Sequence, residues 1–287
     1  MRAVRPIAEQ TILVTGATDG LGRALATELA RAGATVLIHG RDVVRGRRTL
    51  EEIRAHTGND RLVWLRADFA SLDEVRALAH EVSRNYDRLD VLVNNAGIGA
   101  TSGGDGRRQV SHDGIELRFA VNYLAGYLLT RLLLPLIEQS APARIVNVSS
   151  AGQAPLDCDD LMLEHGYDGV RAYCQSKLAQ IMFTFDLAEE LRGRDVTATC
   201  LHPATYMPTK IVLADGIVPT SELAEGVQAT LRLAMDPKLH GVTGRYFDGL
   251  RAAQTHPQAL DRVARHRLRD FSERVCGLPR VRVSRAS

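Results

Sequence analysis

Tyr173 and Lys177 are four residues apart in the segment 173–177, which reads YCQSK. Alanine, leucine, methionine and glutamine favour a helix over about residues 171–191, and no glycine or proline interrupts it before Gly193. Residues four apart lie on one face of a helix, so the phenol and the ammonium are predicted to lie side by side. A free phenol has a pKa of about 10, and a nearby cation lowers that pKa. The pair could therefore exchange a proton with a substrate, although a half-buried tyrosine beside a surface lysine gives the same spacing.

The composition sets the class of protein. With 287 residues and 45% hydrophobic residues, the chain is long enough for one large α/β domain with a sizeable core. A net charge of +2 is too small to indicate binding of nucleic acid or of an anionic membrane. The four cysteines are widely spread and form no C-x-x-C pair, so we predict neither a disulfide framework nor a metal site.

The sequence also carries expectations about location. Residues 1–6 lack the apolar run of a signal peptide. The apolar run at 132–137 is much shorter than the roughly 20 residues that span a bilayer. We therefore predict no membrane span and a soluble, cytoplasmic protein.

Short, β-branched apolar runs alternate with longer amphipathic segments along the chain. Strands are predicted at 11–15, 35–38, 62–65, 91–93, 144–148, 196–201 and 244–247. Helices are predicted at 21–31, 43–56, 73–86, 113–138, 171–191 and 221–235, with a last helix that runs from Pro257 to about Cys276. This alternation predicts an α/β fold: a single-domain Rossmann fold with a doubly wound, parallel, seven-stranded sheet of order 3-2-1-4-5-6-7 and helices on both faces. The binding crevice should then lie at the carboxyl ends of the strands, between the first and the fourth.

A glycine-rich turn, residues 15–22, follows the first strand and precedes a helix. Its glycines, Gly16, Gly20 and Gly22, are more than an ordinary βα turn needs, although their spacing differs from G-x-G-x-x-G. Glycines permit a tight turn, and the start of the helix offers free N–H groups to a pyrophosphate. The turn, including Asp19 and Leu21, is therefore predicted to bind a dinucleotide.

The end of the second strand bears on the choice of dinucleotide. An acidic residue at this point binds the ribose hydroxyls of NAD, whereas Gly40 and Arg41 occupy it here. A guanidinium can bind a 2′-phosphate through two hydrogen bonds. The sequence therefore favours NADP(H) over NAD(H), although Asp42 follows at once and Arg41 could simply face water.

Polar and small residues follow the third and fourth strands. Asp68, before Phe69, could receive the adenine amino group, or it could cap the next helix, for which Ser71 is the better candidate. In the segment 94–97, which reads NNAG, small residues allow close approach of a cofactor and the amides can tie strands together. Asn122, inside a predicted apolar helix, could equally be a core amide satisfied by backbone.

Taken together, these motifs resemble the short-chain dehydrogenase/reductase family over about residues 8–250. The motifs that carry the resemblance are residues 15–22, Asn95, Ala96 and Gly97 within 94–97, Asn122, residues 145–150 and residues 173–177. The branch looks like the retinol-dehydrogenase-like group, on the segments 39–42, 121–124, 128–130 and 244–247 and the long interval from Ser150 to Tyr173.

The resemblance implies roles for the four catalytic residues. Tyr173 is expected to donate the proton in reduction or to accept it in oxidation, and Lys177 to bind the nicotinamide ribose and lower the pKa of the phenol. Ser150 is expected to hydrogen-bond the substrate carbonyl, and Asn122 to hold a water that links Lys177 to solvent.

The resemblance also implies further cofactor contacts. After the sixth strand these are Pro203 and a threonine a few residues on, for which Thr209 is the candidate, offset by about one residue, and Thr205 competes. Pro203-Ala204 departs from the family's frequent Pro-Gly at this point. The implied activity is NADP(H)-dependent hydride transfer between nicotinamide and a carbonyl or alcohol. Reduction of an imine or enone, epimerisation, and NADP(H) binding without turnover remain alternatives.

The same reading predicts the domain layout and the partners. A Rossmann-type domain over 8–250 should include substrate loops at 98–112, 151–170 and 204–220 around a fairly apolar small molecule. A helical extension over 251–279 and a disordered tail over 280–287 should follow. Relatives commonly pair through helices corresponding to 113–138 and 171–191, so a homodimer or homotetramer is expected.

Overall fold

A computed structural model describes residues 4–101 and 107–279 of the chain, and one sheet of eight strands runs through it. The strands are β1 Thr11–Val14, β2 Thr35–Gly40, β3 Leu62–Arg66, β4 Val91–Asn94, β5 Ala143–Val148, β6 Val196–His202, β7 Arg245–Asp248 and β8 Arg251–Ala252. Their order is β3-β2-β1-β4-β5-β6-β7-β8, which confirms the predicted order of the first seven. The short strand β8 pairs antiparallel with β7 and was not predicted, because two exposed residues carry no hydrophobic pattern.

The helices lie on both faces of this sheet. They are α1 Gly20–Arg31, α2 Val43–Thr57, α3 Leu72–Asn85, α4 Ala125–Gln139, α5 Gly169–Glu190, α6 Lys210–Ala214, α7 Leu223–Met235 and α8 Arg262–Val275. One buried apolar cluster joins the sheet to α3, α4, α5 and α8, and a second joins it to α1, α2 and α7. Strands buried on both faces explain the continuous apolar runs of the sequence.

The helix predicted over 113–138 begins later than expected. Val110 and Glu116 form an isolated antiparallel bridge, and between them Gly114 has a φ of 75°, so the chain turns there instead of starting a helix. The side chain of Asp113 accepts a hydrogen bond of 2.9 Å from the backbone N–H of Leu72 at the start of α3. The helical backbone then starts at Leu117 and continues through a π-helical segment, Phe119–Leu124, that leads into α4.

Two other helices also start at residues that differ from the predicted ones. Helix α7 starts after Glu222, not Ser221, because Glu222 and Glu225 form a reciprocal capping box. Pro257 belongs to a separate 3₁₀ turn, and α8 starts after Asp261, whose carboxylate accepts hydrogen bonds from the first backbone N–H groups of that helix. The predicted cap of α3 is confirmed, since Ser71 accepts a hydrogen bond from Glu74.

One helical stretch, Phe119–Gln139, is long and apolar enough to cross a membrane by length and composition. The expectation that no stretch reaches this length was wrong, because it considered only the run at 132–137. In this fold 78% of the most apolar window of the helix is buried inside the protein. Its apolar character is therefore accounted for by packing against the sheet and the neighbouring helices. The cytoplasmic location stays a prediction.

Helix α8 packs over the helices that were expected to pair with a second subunit. Tyr123 and Ser272 share a hydrogen bond of 2.8 Å, and Arg269 forms a two-point ion pair with Asp186 of α5. Residues of the chain's own C-terminal part thus cover this side of α4 and α5. The homodimer or homotetramer stays a prediction, as does the division into domains, and residues 280–287 lie outside the described part of the chain.

Candidate active site

The turns that follow β1 and β4 are joined directly. The Nδ2 of Asn95 donates hydrogen bonds to the carbonyls of Thr15, at 2.8 Å, and Gly16, at 3.2 Å. The hydroxyl oxygen of Thr15 accepts from the backbone N–H groups of Asn95 and Ala96. Gly16 has a φ of 63°, and a Cβ on it would lie 2.8 Å from the Cα of Ala96. The predicted tie between neighbouring strands is therefore made by Asn95, and it brings both turns to one crevice.

The start of α1 faces this crevice. Asp19 is the N-cap, and its carboxylate accepts a hydrogen bond of 2.8 Å from the backbone N–H of Gly20. A Cβ on Gly22 would lie 2.3 Å from the carbonyl oxygen of Gly16, so only glycine allows this approach of helix to turn. The side chain of Leu21 is buried in the apolar core, which leaves only its backbone for a ligand. A helix start with a glycine turn fits the pyrophosphate of a dinucleotide.

His39, which the sequence interpretation gave no site role, supports the turn from the end of β2. Its Nδ1 accepts a hydrogen bond of 3.2 Å from the backbone N–H of Gly16, and its ring stacks on Phe69 at a centroid distance of 4.3 Å. Burial lowers the pKa of His39 to about 4, so the ring is neutral at physiological pH. The carboxylate of the neighbouring Asp68 accepts a hydrogen bond of 3.0 Å from Ala70, and its adenine contact stays a prediction.

Arg41 extends from the end of β2 into solvent. Within the described residues its guanidinium has no hydrogen bond or ion pair, whereas Asp42 caps α2 by accepting from the N–H of Arg45 at 2.9 Å. A Cβ on Gly40 would lie 2.8 Å from the Cγ2 of Thr18, so this position leaves no room for an acidic side chain. The guanidinium of Arg41 is therefore without a hydrogen-bond or ion-pair partner within residues 4–101 and 107–279, whereas the carboxylate of Asp42 is already used by its own helix.

Tyr173 and Lys177 lie on α5, and the predicted proximity of their side chains is confirmed. The Nζ of Lys177 is 5.8 Å from the centroid of the Tyr173 ring. The ammonium is buried and donates to the carbonyl of Val148 and to the Oε1 of Gln180, both at 3.0 Å. Burial lowers the pKa of Lys177 to about 8. A cation with ordered donors is therefore held beside the phenol.

The pKa of Tyr173 is raised by the chain's own groups. Burial is the largest cause, a hydrogen bond with Ser150 opposes it, and Cys174 and Asp215 raise the pKa further. Removing a phenol from water disfavours its charged form, which accounts for the direction of the shift. Lys177 is not among these causes, so the expected lowering of the phenol pKa by Lys177 stays a prediction. Tyr173 therefore stays protonated in the protein alone, as a proton donor must.

Ser150 lies beside Tyr173 at the end of β5. Its hydroxyl oxygen accepts a hydrogen bond of 3.0 Å from Gly152, and its carbonyl accepts one of 3.1 Å from the hydroxyl of Tyr246 on β7. Tyr246, which the sequence interpretation did not select, thus fixes the backbone that carries Ser150. A Cβ on Gly152 would lie 3.5 Å from the Oγ of Ser150 and 3.8 Å from the Cε1 of Tyr173, so the two side chains lie next to each other.

Asn122 lies in the π-helical segment, a type of distortion that is frequent at functional sites. Its Oδ1 accepts from the N–H of Ile98 at 2.7 Å, and its Nδ2 donates to the carbonyl of Ile98 at 3.1 Å and to Ser176 at 2.9 Å. A Cβ on Gly97 would lie 3.3 Å from that Oδ1 and 3.5 Å from the Nζ of Lys177. The amide is thus satisfied by backbone and also lies close to the lysine, while the implied water stays a prediction.

The segment after β6 settles which threonine lies at the glycine turn. Thr209 packs on it, since a Cβ on Gly20 would lie 3.2 Å from the Cγ2 of Thr209. Thr205 is exposed and shares a hydrogen bond of 3.0 Å with His202 instead. Pro203 is buried at the end of the strand. Helix α6, which follows Thr209, confirms the predicted helical turn within 204–220.

The three predicted substrate loops expose apolar side chains. These are Val110, Val170, Tyr206, Leu213 and Val218. Part of the first loop, residues 102–106, lies outside the described residues. Within residues 4–101 and 107–279, no three His, Cys, Asp or Glu side chains are grouped to hold a metal ion.

A parallel sheet of this order, with a glycine turn at its switch point and a tyrosine–lysine pair in the same crevice, defines a nucleotide-binding oxidoreductase of the Rossmann type. The family model described as short chain dehydrogenase matches residues 10–214. The chain belongs to this family and is an enzyme of it.

Its relatives place it more closely within the family. Retinol dehydrogenase 14 of Homo sapiens is 38% identical over 94% of this chain and 87% of that protein. Retinol dehydrogenase 13 of Mus musculus is 37% identical over 94% of this chain and 84% of that protein.

Solved structures share the fold. A putative uncharacterized protein from Mycobacterium paratuberculosis matches with a TM-score of 0.77 and 27% identity, over 96% of both chains. A putative short chain dehydrogenase from Escherichia coli CFT073, complexed with NADPH, matches with a TM-score of 0.69 and 29% identity, over 85% of this chain and 97% of that chain.

Proposed function

We propose that this enzyme transfers a hydride between NADP(H) and a carbonyl or alcohol substrate, with Tyr173 as the acid and base. The observation that carries the proposal is the proximity of Ser150, Tyr173 and the buried ammonium of Lys177. A Cβ on Gly152 would lie 3.5 Å from the Oγ of Ser150 and 3.8 Å from the Cε1 of Tyr173, and the Nζ of Lys177 is 5.8 Å from the centroid of the Tyr173 ring. All three side chains lie at the carboxyl ends of strands or on α5, in the crevice that the glycine turn enters.

Ser150, Tyr173 and Lys177 have different roles in the proposed reaction. Bound NADP(H) would supply or accept the hydride. The hydroxyls of Ser150 and Tyr173 hold the substrate oxygen, and they stabilise the negative charge that develops on it in reduction. Tyr173 then donates its proton to that oxygen, or removes it in the reverse direction. The ammonium of Lys177 stabilises the phenolate that results, because an opposite charge nearby favours the ionised phenol.

The preference for NADP(H) is supported by the end of β2. The guanidinium of Arg41 is available to a 2′-phosphate, and Gly40 leaves no space for the carboxylate that would select NAD(H). A solved relative was obtained as a complex with NADPH. We infer that NADPH binds more tightly than NADH.

The substrate is inferred to be a fairly apolar alcohol, aldehyde or ketone. The apolar side chains exposed on the loops around the crevice support this inference, because such a patch commonly marks a binding groove. Relatives are named retinol dehydrogenases, which makes retinal a sensible first aldehyde to test.

The decisive experiment compares wild type with Tyr173→Phe on a panel of carbonyl and enone substrates with NADPH. Loss of a positioned acid and base lowers kcat by about 10²–10⁴-fold, while the dissociation constant of NADPH, measured by fluorescence, changes little. Tyr86→Phe, at the end of α3, is the control and should match wild type. Near-normal turnover by Tyr173→Phe would refute the role of the phenol. Reduction of the enones alone would favour a different reaction on this scaffold, and binding without turnover would favour a sensor.

A further inference from the structure

A buried ion pair lies outside the four catalytic residues. Glu116 and Arg118 are each only 1% exposed, and the Oε1 of Glu116 is 3.4 Å from the Nη1 of Arg118. The same Nη1 donates a hydrogen bond of 2.7 Å to the hydroxyl of Tyr167. The Nε and Nη2 of Arg118 both donate to the carbonyl of Ala100, at 3.1 and 2.6 Å. One guanidinium therefore joins the segment after β4 to the loop that precedes α5.

Glu116 completes the arrangement. Its Oε1 accepts from the hydroxyl of Tyr167 at 3.1 Å, and its Oε2 accepts from the backbone N–H of Phe119 at 2.7 Å. Taking two charges out of water is costly, and a well-packed apolar pair is often at least as stable as a buried ion pair. Stability is therefore a weak explanation for this pair, and the fixed geometry of its hydrogen bonds is a stronger one.

The carbonyl of Ala100 also lies against the first residue of α5, the helix that carries Tyr173 and Lys177. Gly169 is the first residue of α5, and a Cβ on it would lie 2.6 Å from the carbonyl oxygen of Ala100. Two residues earlier in the segment, Ile98 is held at its N–H and its carbonyl by Asn122. Asn122 and Arg118, four residues apart, thus hold the two ends of a short backbone segment against which α5 starts.

We propose that Arg118 is a positioning residue for Tyr173. Through Ala100 and Tyr167 it fixes the first turn of α5, and Tyr173 follows one turn after Gly169. The position of that turn sets the approach of the phenol to Ser150. This inference rests on the proposed acid and base role of Tyr173.

Gly169→Ala tests the contact without touching any charge. The added methyl must push α5 away from Ala100, whereas alanine is itself the better helix former. A displacement of about 1 Å can lower turnover by roughly 10²-fold, so we expect kcat to fall about 10- to 100-fold. The dissociation constant of NADPH should stay within about twofold of wild type, because the glycine turn is untouched. Gly126→Ala in α4 is the matched control, since its Cβ would meet nothing closer than 3.4 Å.

Arg118→Lys and Tyr167→Phe test the guanidinium itself. Lysine keeps the charge but cannot reproduce the two-point contact with Ala100, and phenylalanine removes only the hydroxyl. We expect kcat to fall for both, with the smaller loss in Tyr167→Phe. The weakened contact with Ser150 should raise the pKa of the phenol, so the acid limb of the pH profile for alcohol oxidation should move to higher pH. A purely structural loss would lower the amount of folded enzyme and leave that profile in place.

Tyr173→Phe is measured in the same assays to separate the two proposals. If Tyr173→Phe abolishes turnover while Gly169→Ala and Arg118→Lys keep the kcat and pH profile of wild type, the positioning role is refuted and the function stands. If Tyr173→Phe keeps turnover, the proposed function itself fails. If Arg118→Lys does not fold, the kcat and pH profile of Gly169→Ala alone test the positioning role.

Discussion

The two ends of the crevice are built in different ways. The end proposed to bind the cofactor, called the cofactor end, consists of the turns 15–22 and 94–97 and the end of β2. It is held by close approach of small residues such as Gly22, Gly16 and Ala96. The end proposed to bind the substrate, called the substrate end, consists of the segments 98–101, 151–170 and 204–220, and it is held by polar contacts between distant parts of the chain. Arg118 binds Ala100 and Tyr167 there, and Asp215 accepts a hydrogen bond from Thr101.

The difference predicts which substitutions each end tolerates. Where two backbones approach closely, as at Gly16 and Gly22, a larger side chain would collide with its neighbour. Contacts between long side chains tolerate other residues, provided that a partner remains. Lys177 stands between the two ends, and Lys210 links them through its ion pair with Asp19.

The largest effect is expected from Gly22→Ala, which fills the approach at the cofactor end. The Cβ would lie 2.3 Å from the backbone oxygen of Gly16 and 2.4 Å from the Nδ2 of Asn95. We expect the free energy of unfolding to fall by about 1–3 kcal/mol, and the dissociation constant of NADPH to rise about 10- to 100-fold. Urea denaturation and fluorescence titration measure both, with Gly126→Ala as a control that gains helix propensity without the collision. Wild-type values for Gly22→Ala would show that the turn is not closely packed.

The next effect concerns Lys177, at the border between the two ends. Its pKa is lowered to about 8 by burial, so in the unfolded chain it holds its proton to higher pH than in the fold. The destabilisation caused by burying the charge is present in full below pH 8 and is relieved as the pH rises from there. The free energy of unfolding of wild type minus that of Lys177→Met should therefore increase by on the order of 2 kcal/mol between pH 8 and 9.5. Urea denaturation at several pH values checks this, and a constant difference would contradict it.

Arg41→Ser is expected to weaken the binding of NADPH at the cofactor end. The packing there should not change, because the side chain of Arg41 is exposed. A charge-assisted contact with the 2′-phosphate is worth about 1.5–3 kcal/mol, so the dissociation constant of NADPH should rise about 10- to 100-fold. That of NADH should stay within about twofold, since NADH has no 2′-phosphate. Arg47→Ser, at an exposed arginine of α2, is the control. Equal losses for both cofactors would assign Arg41 a different role.

The smallest effect tests the link between the two ends. Asp19→Asn keeps an oxygen for the N–H of Gly20 but removes the charge that pairs with Lys210 and that would face the phosphates of a cofactor bound as proposed. The pair is largely exposed and is worth at most about 1 kcal/mol. NADPH should therefore bind about two- to fivefold more tightly to Asp19→Asn. Lys210→Met, which leaves the carboxylate unpaired, should bind NADPH more weakly, and the same shift in both variants would contradict the electrostatic explanation.

Local patterns of the sequence predicted the parts of the fold that are governed by local physics. The apolar runs became buried strands in the predicted order, and Ser71 caps α3 as its residue type suggested. The predictions failed where a distant contact overrides the local pattern. Asp113 looked like the start of a helix, but its carboxylate binds the backbone of Leu72. The start of α7 was missed for a local reason, because reciprocal bonds between Glu222 and Glu225, three residues apart, make Glu222 the cap instead of Ser221.

By itself, the sequence determined the class of fold, the glycine turn and the pairing of Tyr173 with Lys177, because each depends on residue size or on helical spacing within a short stretch. Only the tertiary structure decided the direction of the pKa of Tyr173 and showed that Thr209, not Thr205, packs on the glycine turn. It alone also brought Arg118, Ala100 and Gly169 together. Burial and contacts between residues far apart in the chain arise only when the sheet is complete, so no short segment carries them.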